Sequence, residues 1–140
     1  LKYVRRIFRR IYLHNNLVIS IIEGYAIDEG FELMLMSDII FSDANAMVGY
    51  MKFIGGVPFS LTRFTRIVDR ACYRGSLKIL LKGLLNAEEA FEYGLIDYIS
   101  KDPYRETMSF INDLLKRFGL GRLSYIKDFY KEKFVHRDES

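Results

Sequence analysis

A single cysteine in 140 residues, Cys72, excludes an internal disulfide framework and any zinc site built on thiolates. It reads as a small buried or half-buried residue in a reducing compartment, the cytoplasm. Histidine is almost as scarce. His14 and His136 stand far apart with no partner at metal-ligand spacing, so no metal is expected and both read as surface residues. No apolar run is long enough to cross a bilayer, which argues against a membrane partner. The opening dozen residues are basic, but their apolar members are dispersed, unlike the block of a secretory leader. A nucleophile-elbow serine is missing, and so is any internal repeat. Nucleic acid is not an expected partner either, because no broad basic stripe accompanies a reading element. Arg5, Arg6, Arg9 and Arg10 do concentrate the net charge of +3 near the front. They read as a solvated helix face, with pairing to the phosphates of a nucleotide-like ligand as their other use.

What is present is enough apolar material, 50% hydrophobic and 15% aromatic, for one packed domain. Val4, Ile7, Phe8, Ile11 and Tyr12 recur at helical spacing, which predicts an amphipathic helix over 2–13. The β-branched run 17–22 reads as a strand, 39–41 as a second and 95–99 as a third. Residues 31–36 form a short apolar helix. The stretch 47–60 reads as loop, and 61–68 and 76–81 as helices. Asn86 is an N-cap with Glu89 reaching back, and Gly94 ends that helix in a left-handed cap. Two helices close the chain. Ile111, Leu114, Leu115 and Phe118 line one face of the first, and Ile126, Phe129, Tyr130 and Phe134 line a face of the second. Strands alternating with helices imply an α/β fold with mostly parallel pairing, although three strands are too few for a free-standing sheet.

The segment with chemical content is Ile22-Glu23-Gly24-Tyr25-Ala26-Ile27-Asp28-Glu29-Gly30-Phe31-Glu32-Leu33. A strand stops at a Glu-Gly pair and a helix begins a few residues later. Backbone N–H groups at such a helix start have no acceptor within the helix, and they suit a developing negative charge. Glu32, one turn on, is placed to reach the same space.

This segment resembles the oxyanion loop of the crotonase (enoyl-CoA hydratase/isomerase) superfamily, usually hydrophobic-E/N-G-Y-A-x-G-G-G-x-E-L. Two further stretches match in order and without gaps. Phe31 to Ile40 resembles the family's buried helix and following strand, and Leu80 to Ile96 its L-L-T-G-x-x-I-S-A-E-E-A-L-x-x-G-L-V text. Gly56 to Leu61 is similar to the methylmalonyl-CoA decarboxylase branch, with Phe59 where that branch has tyrosine.

The resemblance implies an α/β crotonase-like (ClpP/crotonase) spiral fold, truncated at its N-terminal side, with a partial core over 1–100 and a helical oligomerisation segment over 101–140. It implies a coenzyme A thioester as substrate and no separate cofactor, with the carbonyl polarised by two backbone N–H groups. One of these maps to Glu29. Asp28 and Glu29 replace two of the family's glycines, so two carboxylates stand beside the place where an oxyanion would form. Glu32 maps to one of the two glutamates that activate water in hydratases. The second belongs in a loop where Met51 or Lys52 stands here. Ala26, Asp28, Gly30 and Phe59 map to substrate-binding positions. The other oxyanion donor belongs to text with no counterpart in residues 1–16. A chain opening on Leu1 therefore reads as a fragment or processed product, completed by an upstream polypeptide, in a homo-oligomeric trimer or hexamer. Two readings follow: an acyl-CoA hydratase, isomerase or decarboxylase, or a catalytically silent subunit with an assembly role. An unrelated α/β binding module is the third.

Overall fold

The computed structural model describes the backbone of residues 2–58 and 61–139 and the side chains of 3–58 and 64–131; Phe59 and the side chains of Phe134 and His136 fall outside that description. Helix α1 (Lys2–Tyr12) opens the chain with its arginines exposed. Only the C-terminal half of its apolar stripe finds the core. Tyr12 is buried and Phe8 and Ile11 pack beside it, whereas Ile7 remains 55% exposed.

Among the described residues six short strands build two sheets, where the sequence was read as three strands. In the first sheet β1 (Ile19–Ile22), β3 (Ile39–Ser42) and β6 (Tyr98–Ile99) lie in the order β1-β3-β6, all parallel. The second holds β2 (Tyr25–Ile27), β4 (Met47–Gly49) and β5 (Leu84–Asn86), with β2 parallel and β5 antiparallel to β4. The three unpredicted strands have three residues each, too few to display a period of two. β4 lies inside the expected loop, and β5 ends on Asn86, the residue read as the N-cap of the next helix. The predicted strand 95–99 shrinks to its last residues because Leu95 and Ile96 are spent on the core.

Helix α2 (Glu29–Leu35) begins two residues before the predicted start and buries Phe31, Glu32, Met34 and Leu35. Helix α3 (Leu61–Lys82) replaces two predicted helices; it is broken at Cys72, whose φ is +56° and ψ 177°. Cys72 is exposed there, not buried or half-buried as its chemistry led one to expect, because the break turns it out of the helical register. Helix α4 (Ala87–Glu92) carries the predicted capping box in full: Asn86 accepts from Glu89 N at 2.9 Å and Glu89 Oε1 accepts from Asn86 N at 3.2 Å. Gly94 follows at φ +82°. Phe31, Met34, Ile40, Val48, Ile67, Ile79, Leu85 and Leu95 are the centre of one apolar core, each contributing about 1.5–3 kcal/mol by burial.

Helices α5 (Pro103–Arg117) and α6 (Gly119–Glu139) finish the chain. α6 is tied back to the core by polar contacts. Lys127, only 1% exposed, donates to Asp38 Oδ2 at 2.5 Å, and Val18 N donates to the same oxygen at 2.7 Å. Arg70 sits beside them. Its Nη2 donates to the Asp38 carbonyl at 2.8 Å, and its Nη1 meets Asp97 at 3.3 Å, while Asp97 also accepts from Ile40 N. Tyr125, Phe129 and Tyr130 on α6 stay exposed. Among the described residues no helix is long and apolar enough to cross a membrane.

Candidate active site

The second sheet positions the candidate site. β2 runs parallel to β4 with Ala26 opposite Val48, and Ala26 is buried in that pairing. The ladder continues one step beyond the strand, where Asp28 N donates to Gly49 O at 3.0 Å. The chain then turns abruptly into α2. Asp28 makes the turn at φ +56°, ψ −111°, a conformation that suits glycine and strains a residue with a Cβ.

The loop after β4 accounts for why an aspartate is held there. Asp28 Oδ1 accepts two backbone N–H groups, from Met51 at 2.7 Å and Lys52 at 3.1 Å. Its carboxylate is therefore committed to the 51–52 loop and not to its own helix. The next acid is answered by the same loop: Lys52 Nζ donates to Glu29 in an ion pair whose two side chains both remain substantially exposed. That hydrogen bond with Glu29 holds the Lys52 ammonium protonated above its ordinary range, against a smaller opposing pull from desolvation.

Beneath the pair the helix turns inward. Glu32 N donates to the Asp28 carbonyl at 2.9 Å, and the Glu32 side chain is 6% exposed. Glu29 and Glu32, three residues apart, share a turn of α2 yet differ sharply in solvent contact. Gly30 lies between them on the open side, with nothing within 4 Å of the place its Cβ would occupy. The structure thus gathers Ala26, Asp28, Glu29, Gly30 and Glu32 on one strand–turn–helix unit. Phe59, the remaining predicted site residue, lies outside the described residues.

Sequence reasoning left Met51 or Lys52 in the place of the second acid and missed the pairing of Lys52 with Glu29 across 23 residues. A signal was available. Two extra acids in one loop and a cation in the facing one form a compensated set, readable once the two loops are known to meet.

A comparison with known families decides the ancestry: the family model described as enoyl-CoA hydratase/isomerase matches residues 2–118. The chain belongs to the enoyl-CoA hydratase/isomerase family. Solved structures agree on the fold. An enoyl-CoA hydratase from Thermoplasma volcanium superposes with a TM-score of 0.83 at 23% identity, over 94% of this chain and 53% of that one. Methylmalonyl-CoA decarboxylase in complex with 2-nitronate-propionyl-CoA gives 0.82 at 19%, over 91% of this chain and 50% of that one. An enoyl-CoA hydratase/isomerase from Marinobacter aquaeolei gives 0.74 at 19%, over 99% and 59%. The chain therefore has the crotonase fold and spans about half the length of the structures it matches. No curated protein sequence matches it.

Proposed function

We propose that this family member binds an acyl-CoA thioester and stabilises, at the backbone N–H of Glu29, the negative charge that develops on the thioester oxygen as an enolate forms. As the first residue of α2, Glu29 has an N–H that its helix cannot satisfy, and one such donor supplies roughly 3–4 kcal/mol of transition-state stabilisation. Ala26, Asp28 and Gly30 border the acyl group in this reading, and Glu32, in the same turn, moves the proton at the carbon beside the carbonyl.

The observation that carries it is the fate of the two acids. The Asp28 carboxylate is occupied by Met51 N and Lys52 N, and Glu29 is paired with the Lys52 ammonium. Neither confronts the oxyanion as a bare charge, which supports the reading despite the two lost glycines. Calorimetric titration of the full chain with crotonyl-CoA, against coenzyme A alone, tests the proposal. Heat with the thioester and a much weaker response without the acyl group is the expected result; no heat with either sinks it.

One observation favours a second reading, a subunit that assembles but performs no chemistry. The loop that carries a second glutamate in two-glutamate hydratases holds Met51 and Lys52, and Lys52 is already engaged by Glu29. The exposed aromatic face of α6 then serves a homo-oligomer. Hydration of crotonyl-CoA by the full chain, lost in Glu32→Gln, would refute that reading.

A further inference from the structure

The loop that answers Asp28 and Glu29 with its polar groups turns apolar ones toward solvent. Residues 51–57 read Met-Lys-Phe-Ile-Gly-Gly-Val, with one cation and no acid. Met51 is 38% exposed, Phe53 43%, Ile54 57% and Val57 44%. Surface connections are ordinarily polar, and several large apolar side chains presented together mark a contact surface.

The loop is folded on itself, which holds these side chains in place. Gly55 N donates to Met51 O at 3.3 Å, Gly56 N to Phe53 O at 3.0 Å and Val57 N to Lys52 O at 2.9 Å. Gly83, immediately before β5, leaves room beneath the loop: a Cβ there would collide with Ile54 Cδ1 and lie 3.1 Å from Met51 Sδ. Met51 and Ile54 are thus seated against the second sheet on one side and open on the other.

This surface is continuous with the candidate site. Met51 N lies 2.7 Å from Asp28 Oδ1, and Asp28 directly precedes the N–H of Glu29. On α2, Leu33 stands one turn beyond Glu29 on the same face and is 42% exposed. Moving away from the Asp28 turn along the loop, polar contacts give way to apolar surface.

We propose that the acyl group of the thioester is an unsubstituted hydrocarbon chain of medium length or longer, whose tail lies across Phe53, Ile54 and Val57. The inference rests on the thioester reading and names its substrate class. A four-carbon acyl group has too little surface to cover three such side chains, whereas an octanoyl or decanoyl chain has enough. None of the three offers a hydrogen bond from its side chain, so a hydroxyl or carboxylate on the tail would lose its water without replacement.

Calorimetry on the full chain with butanoyl-, hexanoyl-, octanoyl- and decanoyl-CoA tests it. Affinity should rise about twofold to fourfold per added methylene, the range between half and full burial of each. Phe53→Ser/Ile54→Ser should cut the decanoyl-to-butanoyl affinity ratio roughly tenfold or more. Tyr104→Ser/Leu120→Ser removes exposed apolar groups from α5 and α6 and should keep the ratio of the parent. Equal affinity across the series overturns this inference and leaves the thioester reading standing; no binding at any length sinks both. A ratio that falls equally in the control pair overturns it as well, because the tail is then held by general stickiness. So does a flat series in which Phe53→Ser/Ile54→Ser lowers the oligomeric mass in sedimentation, which would make the loop a contact between copies of the chain.

Discussion

Two acid–cation contacts in this molecule look alike on paper and do opposite jobs. Asp38 and Lys127 meet where α6 crosses the body, with Lys127 almost wholly removed from water. Glu29 and Lys52 meet at the lip of the candidate site, both well hydrated. Desolvation separates them. A buried ammonium is held only while its partner is present, so the contact fixes where α6 lies. An exposed pair contributes little to folding, because water and salt compete with it. What it changes is the local potential, and it does so at the one turn where the proposed chemistry needs a negative carboxylate to be quiet. Burial, not geometry, decides which pair is structural.

The largest effect should come from breaking the buried contact. Lys127→Met leaves Asp38 with the Val18 N–H and the Arg70 contact to its carbonyl, but no facing charge, and removes the bond that seats α6. A loss of about 3–5 kcal/mol is expected in a urea melt. Adding Asp38→Asn should restore a good part of it, since the stranded charge is then gone. If the double variant is no more stable than the single one, the pair is not what holds the helix.

The backbone beneath the site should be nearly as sensitive. Gly49 has φ +156°, and a Cβ built there would lie 1.8 Å from the Gly83 carbonyl oxygen across the β4–β5 pair. That obstacle is main chain and cannot swing aside. Gly49→Ala should therefore cost about 3 kcal/mol, read in the same melt. The site's surface charges are dispensable to folding, in this view, while the strand edge that presents them is not.

Asp28 lies between these extremes and separates strain from hydrogen bonding. Asp28→Ala keeps the unfavourable φ and loses the acceptor for Met51 N and Lys52 N, for an expected loss of about 1–2 kcal/mol. Asp28→Gly loses the same bonds but relieves a strain of about 1–3 kcal/mol, so it should fall within about 0.5 kcal/mol of the parent. Equal losses in the two variants would mean that the turn stores no strain.

The sequence was legible where local chemistry sets local structure. The Asn86–Glu89 capping box, the Gly94 stop, the β1 and β3 runs and both closing helices follow from residue type and spacing alone. The site turn was legible too, because a strand ending in Glu-Gly before a helical pattern can fold in few ways. The rest depended on contacts distant in sequence. β2, β4 and β5 exist only because they pair with one another, and three residues carry no period to read. Cys72 reads as a buried or half-buried residue, and only the break in α3 turns it out to solvent. Lys127 reads as a solvated lysine of α6, and only the fold, by placing it against Asp38, reveals it as part of the core.

The smallest effect is the most specific to the site. Glu29 raises the pKa of Lys52, so whatever the pair contributes is fully present below the lysine's ordinary titration range and fades as pH rises through the raised value. Nothing should change near neutrality. Glu29→Gln removes the largest cause of that upward shift, and the Lys52 resonance followed by NMR should titrate lower than in the parent, with the melting temperature at neutral pH unmoved. Lys52→Met should likewise leave the fold intact, yet it strips the cover from the Glu29 carboxylate beside the proposed oxyanion. Thioester binding should then weaken, and Glu29→Gln in the same chain should recover it. Recovery in the double variant, with no change in stability in any of the three, would separate an electrostatic role at the site from a structural one; a Lys52 that titrates identically with and without Glu29 would dissolve the pair and the contrast built on it.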